Sequence, residues 1–313
     1  MPETARPVVL IGHPALSPRR GPLEKMGCRV VDRAGLTDAD RAEVQVIFHM
    51  GETGVEPAFL ATLPKLSLIA YLSAGYDGLD LAWCRQHGIA VTHARSINAD
   101  DVADVAIGLM INAWRRLGLA ERMVRDGRWF AGQRPAFGPS LGGRKLGVVG
   151  LGAIGEAVAR RAQAFNLQVS WWGPRPKPAA PWPRAESLLA LAADSDILVV
   201  ATRAEADNRG MISQAVIEGL GPKGLLVNVA RGSVVDEAAL QAALRDGRLG
   251  AAGLDVFAQE PTPPELWADL DNVALAPHLA GGTLDSVREM TNQVLENIRR
   301  QLAGEPLLSP VQD

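Results

Sequence analysis

The stretch "KLGVVGLGAIGEAVARRAQAF", residues 145–165, restricts the folds open to this chain more than any other. An apolar run that reads as a strand meets Gly150, Gly152 and Gly155 in a G-x-G-x-x-G pattern, and an alanine-rich helical segment follows. The first glycine permits a tight turn, the second lets backbone approach a pyrophosphate, and the third lets helix and strand pack closely. N–H groups at the helix start, near Ala153 and Ile154, then face the phosphates. Alone the triplet is a weak signal. A strand before it, a helix after it and a second strand beyond make it a Rossmann-type dinucleotide site.

The rest of the chain repeats this alternation. Strands are expected at 7–12, 28–31, 44–50, 66–73 and 89–94, with helical segments around 38–43 and 57–63. After residue 145 come "LQVSWWG", "SDILVVAT", "GLLVNVA", "AAGLDVF" and "NVALAPH". Such alternation predicts an α/β protein of two Rossmann-like, doubly wound parallel-sheet domains, with the active site in the cleft between them. At 313 residues two domains are also the natural division. We assign 1–98 plus 285–313 to a substrate-binding lid and 99–284 to the dinucleotide-binding domain. Residues 98–127 read as one long helix or two in series, capped by Asn98 or Asp100. A Gly/Pro-rich loop at 128–143, with Trp129 and Phe137, suits a subunit contact. The helix at 284–302 leads to a tail expected to rejoin the first domain, with hinges near Asn98 and Leu284.

Bulk properties exclude several classes. Hydrophobic residues make up 47% and charged ones 21%, and the formal net charge is −3, which favours neither nucleic acid nor anionic membrane. Two cysteines, Cys28 and Cys84, offer no metal-ligand spacing or disulfide framework. With no signal-like or membrane-spanning run, a cytoplasmic location is expected.

A dinucleotide fold usually places an acid about 20 residues after the first glycine, where it holds the ribose hydroxyls of NAD. Here that position is Gly173, and no Asp or Glu occurs between Leu167 and Ala185. The loop carries Pro174, Arg175 and Lys177 instead. A guanidinium can bind a 2′-phosphate bidentately, so NADP(H) is expected over NAD(H). The alternative is that both cations are solvated loop charges.

Three segments carry chemistry at the ends of expected strands, where ligands bind in doubly wound sheets. They hold Arg231 in "VNVARGSVVDEAAL", Asp255 and Glu260 in "GLDVFAQEP", and His278 in "APHLAGGT". His278 lies between Pro277 and the pair Gly281 and Gly282, an unusual setting for a core histidine. Glu260 reads equally well as a solvated loop acid. The other histidines, at 13, 49, 87 and 93, read as strand-end or surface residues without a charged sequence neighbour.

Together with "VGLGAIG", "LSAGYDGLD" and "DDVADVAIGLM", these segments resemble the D-isomer-specific 2-hydroxyacid dehydrogenase family over nearly the whole chain. The resemblance is strongest to NADPH-dependent glyoxylate, hydroxypyruvate and hydroxyphenylpyruvate reductases. It implies that Arg231 binds the 2-oxo acid, that His278 donates the proton, and that Glu260 holds the imidazolium. It also implies that Asp255 meets the nicotinamide carboxamide and that the Ala74 and Gly75 amides grip the substrate carboxylate. Met50, Leu72 and Tyr76 are candidates to line the pocket. The cofactor set extends to Thr202, Arg203, Val229, Ala230 and Gly281. The chain reads "RAEADN" where relatives carry a Pro-Leu-Thr-Pro-Glu-Thr loop, so Arg203 either reinforces the phosphate site or is surface drift. A homodimer is implied. The alternatives carried forward are a hydroxyphenylpyruvate-type reductase and, from another class, a dinucleotide-sensing corepressor.

Overall fold

The computed structural model describes residues 6–51, 53–135 and 137–311. The chain divides into two compact units, Met1–Ile97 with Leu284–Asp313, and Asn98–Thr283. The chain therefore leaves the first unit after Ile97 and re-enters it at Leu284.

The first unit is built on strands β1 (Val8–Ile11), β2 (Arg29–Asp32), β3 (Val44–His49), β4 (Leu68–Tyr71) and β5 (Ala90–Thr92). They form one parallel sheet in the order β2-β1-β3-β4-β5. The period-2 pattern sorts the side chains between two faces: Val8 and Leu10 join one apolar cluster, Val9 and Ile11 the other. The helix Leu284–Ala303 closes the second face with Met290, Val294 and Ile298, spaced four apart so that they share one stripe. The tail then returns as the sequence predicts. Pro310 bridges Thr92 antiparallel, and the Val311 N–H donates to the Val91 carbonyl at 2.8 Å.

The second unit carries β6 (Lys145–Val149), β7 (Gln168–Trp172), β8 (Ile197–Val200), β9 (Leu225–Asn228), β10 (Ala251–Leu254) and β11 (Val273–Leu275). All pair in parallel, in the order β11-β10-β9-β8-β6-β7. Chain direction across the sheet reverses between β6 and β8, so the glycine loop that leaves β6 opens at a topological switch point. Both faces are covered: Leu146, Val148 and Val199 pack with the helices Ala99–Arg115 and Ala153–Ala164, while Val149, Leu198 and Val200 pack on the opposite side. Burial on both faces explains why these strands read as unbroken apolar runs.

Residues 98–127 resolve as two helices, Ala99–Arg115 and Leu117–Arg125, broken where Arg116 adopts φ 52°. The Asn112 side chain accepts the Gly118 N–H at 2.9 Å and so covers the break. Beyond it, Trp129, Phe130 and Phe137 are 51%, 97% and 104% exposed. Among the described residues, no helix is long and apolar enough to cross a membrane.

Candidate active site

The glycine loop has the geometry its sequence demands. Gly150 holds φ 89°, and a side chain there would strike the Thr202 backbone at 2.7 Å. A Cβ at Gly155 would lie 2.0 Å from the Gly150 carbonyl oxygen, so only glycine lets this helix sit against this strand. Gly152 is the residue before the helix Ala153–Ala164, and a Cβ there would meet nothing within 4 Å. The helix N-terminus, with Ala153 and Ile154 in its first turn, therefore faces open space at a switch point. These residues fit a dinucleotide pyrophosphate.

The loop after β7 is anchored at several points. Trp171 is buried and donates its indole N–H to the Trp182 carbonyl at 3.1 Å. The Arg184 guanidinium donates to the Gly173 carbonyl at 2.8 Å and lies over the Trp171 ring. Between these anchors Pro174 and Arg175 are exposed, and Arg175 makes no side-chain hydrogen bond or ion pair among the described residues. Lys177 is engaged by the protein itself. Its ammonium donates to the Leu151 carbonyl of the glycine loop and to Glu156 Oε1 at 3.1 Å, which straps the two loops together. Arg203 is exposed, and its carbonyl accepts from Asn208 Nδ2 at 2.7 Å.

The titratable groups converge at the ends of β9, β10 and β11. His278 Nδ1 and Glu260 Oε2 are 2.6 Å apart, and Glu260 Oε1 accepts the Phe257 N–H at 2.9 Å. An ionised carboxylate only accepts, so Nδ1 carries the hydrogen and Nε2 is left for exchange with a ligand. Each partner is about one-third exposed, so the pair is open to substrate without being fully in solvent.

The backbone that presents His278 is under tension and well held. His278 adopts φ 51°, a left-handed conformation costing about 1 kcal/mol for a residue with a side chain. Asp255, only 1% exposed, secures it. Its two carboxylate oxygens accept the Leu279 and Ala280 N–H groups at 2.9 and 3.1 Å, and its carbonyl accepts the His278 N–H at 2.8 Å. Burial pushes the Asp255 carboxyl up, and the two N–H donors oppose that shift. Gly281 closes the turn against the Asn98 side chain.

The Arg231 loop rests on a residue the sequence reading missed. Asn228 is buried at the end of β9; its Oδ1 accepts the Ala230 N–H at 3.0 Å and its Nδ2 donates to the Arg231 carbonyl at 3.0 Å. An Asn ending an otherwise apolar strand was the available signal. Val229 and Ala230 are buried, and the Arg231 guanidinium donates to the Ala230 carbonyl at 2.7 Å. A Cβ at Gly232 would overlap the Phe257 peptide, which ties this loop to the segment that carries Glu260.

In the other unit, Ala74 and Gly75 follow β4 in a turn held by side chains. Ser73 Oγ donates to the Gly75 carbonyl at 2.7 Å and accepts the Gly51 N–H at 2.8 Å. Met50 packs partly into the core, while Leu72 and Tyr76 are buried. Two histidines that read as unremarkable strand ends are committed here: His49 Nε2 meets the Thr53 carbonyl at 3.0 Å, and His93 Nδ1 meets the Ala74 carbonyl at 2.9 Å.

Comparison with known proteins adds identity to this geometry. Residues 107–280 match the family model described as "D-isomer specific 2-hydroxyacid dehydrogenase, NAD binding domain". The chain is 40% identical over 268 residues to a hydroxyphenylpyruvate reductase of Plectranthus scutellarioides, covering 86% of this chain and 85% of that one. It is 37% identical over 280 residues to a glyoxylate/hydroxypyruvate reductase of Arabidopsis thaliana, covering 90% and 89%. Among solved structures it resembles the NADPH-dependent glyoxylate/hydroxypyruvate reductase of Sinorhizobium meliloti in complex with NADP and malonate. That match has a TM-score of 0.90 at 34% identity and covers 98% and 97% of the two chains.

Proposed function

The chain belongs to the D-isomer-specific 2-hydroxyacid dehydrogenase family, and from that premise we propose that it reduces glyoxylate or hydroxypyruvate to the D-2-hydroxy acid with NADPH. The observation that carries this reading is the 2.6 Å His278–Glu260 pair at the strand ends of a dinucleotide-binding sheet. When bound, the nicotinamide supplies a hydride to the substrate's carbonyl carbon. His278 supplies the proton: its Nε2–H bond breaks, an O–H bond forms on the carbonyl oxygen, and Nδ1–H stays on Glu260. The Glu260 carboxylate stabilises the imidazolium before transfer, and solvent restores the Nε2 proton after product leaves.

Arg231 orients the 2-oxo acid through charge-assisted hydrogen bonds, and the amides of Ala74 and Gly75 take its carboxylate. Asp255 holds the His278 turn and borders the nicotinamide carboxamide. Gly150, Gly152 and Gly155, with the Ala153 and Ile154 amides, hold the pyrophosphate. Thr202, Val229, Ala230 and Gly281 complete the cofactor wall. Gly173, Pro174 and Arg175 form the edge that reads the 2′-phosphate. Arg175 is its reader, Lys177 its strap, and Arg203 its neighbour. The unit Asn98–Thr283 then serves as the dinucleotide-binding domain and the other as the substrate domain. A second copy covers Trp129, Phe130 and Phe137, giving a homodimer that sedimentation would detect.

A second reading, hydroxyphenylpyruvate reduction, is favoured by the 40% identical relative. Initial rates with glyoxylate, hydroxypyruvate, pyruvate and hydroxyphenylpyruvate, each with NADPH and NADH, decide between them. His278→Asn should lower kcat by roughly 10²–10⁴ with the preferred substrate. A near-normal rate in that variant removes the proton-donor role.

A further inference from the structure

The turn after β4 contains a device that the reading above does not use. The Ala74 carbonyl and the Gly75 N–H belong to one planar trans peptide unit, so fixing the direction of the oxygen fixes the N–H in the opposite direction. His93 fixes that oxygen, with Nδ1 at 2.9 Å from it. A carbonyl only accepts, so Nδ1 is the donor, and donation polarises the peptide unit and makes its N–H a stronger donor in turn. The next peptide unit is pinned as well, because Ser73 Oγ donates to the Gly75 carbonyl at 2.7 Å.

The imidazole is itself well placed. The Tyr76 ring meets it edge-on, with centroids 5.2 Å apart and planes at 88°. The His93 N–H bonds to the Ser309 carbonyl at 3.3 Å, and the Ala94 N–H bonds to the Ser73 carbonyl at 2.9 Å. The backbone of Gly51 also closes on the turn. A Cβ there would lie 1.9 Å from the Gly75 oxygen and 2.5 Å from Ser73 Oγ. The turn is thus held by the segments that follow β3 and β5, and the C-terminal tail holds His93 in turn.

We propose that His93 is a positioning residue for the substrate: by holding the Ala74 carbonyl it aims and polarises the Gly75 amide that takes the 2-oxo acid's carboxylate. The proposal rests on the reading of Ala74 and Gly75 as the carboxylate site. The carboxylate keeps its charge through the reaction, so an amide that binds it acts equally on ground and transition states. Loss of aim therefore raises KM and leaves kcat in place.

Two substitutions separate the ring from the donor. His93→Phe keeps an aromatic ring beside Tyr76 and removes the N–H; His93→Asn gives up the ring and offers an amide N–H in the place of Nδ1. On NADPH-saturated enzyme, His93→Phe should raise both KM for glyoxylate and the inhibition constant for oxalate by about tenfold, with kcat within about twofold. His93→Asn should restore both constants to near wild type. A structural role alone would instead lower the melting temperature and active fraction at constant KM. If the Phe ring is not accommodated, His93→Ala carries the same expectation. Wild-type constants in the Phe or Ala variant overturn the proposal. To test the underlying reading separately, nitrogen-15 glycine labelling follows the Gly75 amide resonance as oxalate is added to the NADPH complex. No response removes the carboxylate site, and the proposal with it. A response combined with unchanged constants in the variants removes His93 alone.

Discussion

Acid should destabilise this protein through one histidine, and the size of the effect follows from its surroundings. His49 ends β3 with 1% of its surface exposed, edge-on to the Tyr71 ring at 5.5 Å. Its pKa is lowered from 6.5 to about 4, chiefly by burial, with His13 and Arg33 adding to the shift and the Thr53 and Gly12 backbone opposing it. In the unfolded chain the same imidazole takes a proton near 6.5. Between these values the unfolded state binds the proton and the folded state does not, so stability rises with pH. The His49 contribution is therefore fully present above pH 6.5, is lost as pH falls toward 4, and stays lost below that. A shift of this size corresponds to about 3 kcal/mol, most of it gone by about pH 4.5. Urea unfolding of the wild type and His49→Gln at about pH 7, 5.5 and 4.5 measures it, since exposed carboxylates titrate alike in both and cancel. The glutamine amide can still donate to Thr53. The stability difference between the two proteins should move by about 2–3 kcal/mol in favour of the variant on acidification. Parallel pH profiles would refute the assignment.

Two further outcomes follow from the second unit. Arg175→Ala should raise KM for NADPH by about ten- to a hundredfold, the loss of one charge-assisted hydrogen bond, while KM for NADH stays within about twofold. Equal effects on both cofactors would show that Arg175 does not read the 2′-phosphate. Asp255→Ala leaves the Leu279 and Ala280 N–H groups without their acceptor, at a cost of about 2–4 kcal/mol, and frees the strained His278 backbone. Differential scanning fluorimetry should show a melting temperature lower by roughly 5–15 °C, accompanied by a fall in kcat. A variant with unchanged melting behaviour would mean that Asp255 does not hold this turn.

Whether a feature could be read from sequence depended on how local its cause was. Gly150, Gly152 and Gly155 were legible because their spacing is set within one strand-turn-helix unit, where Gly155 closes on the Gly150 carbonyl. The buried strands were legible because both sheet faces are covered, which turns β6, β8 and β9 into unbroken apolar runs. The two-helix form of residues 98–127 was left open, since the left-handed residue at the break is Arg116 and the nearest glycine, Gly118, already lies inside the second helix. His49 and His93 were passed over for a related reason. Their partners are the backbone carbonyls of Thr53 and Ala74, and a carbonyl acceptor leaves no trace in residue identity.

Lys177 shows the same principle acting within the site. From sequence, Arg175 and Lys177 are two cations in one proline-spaced loop and cannot be told apart. The structure separates them, because Glu156 sits in the first turn of the helix and the Leu151 carbonyl belongs to the glycine loop. Both are targets that only folding brings near residue 177. An ammonium is a compact donor suited to such a strap, whereas a guanidinium presents a planar fork suited to an oxyanion. The absence of an acid at Gly173 matters for the same reason. A carboxylate there would compete for Arg175, and without it the guanidinium makes no ion pair among the described residues. On the proposed NADPH reading, selectivity for a phosphorylated ribose would rest on three local conditions acting together: a missing acid, a strapped lysine and an uncommitted arginine.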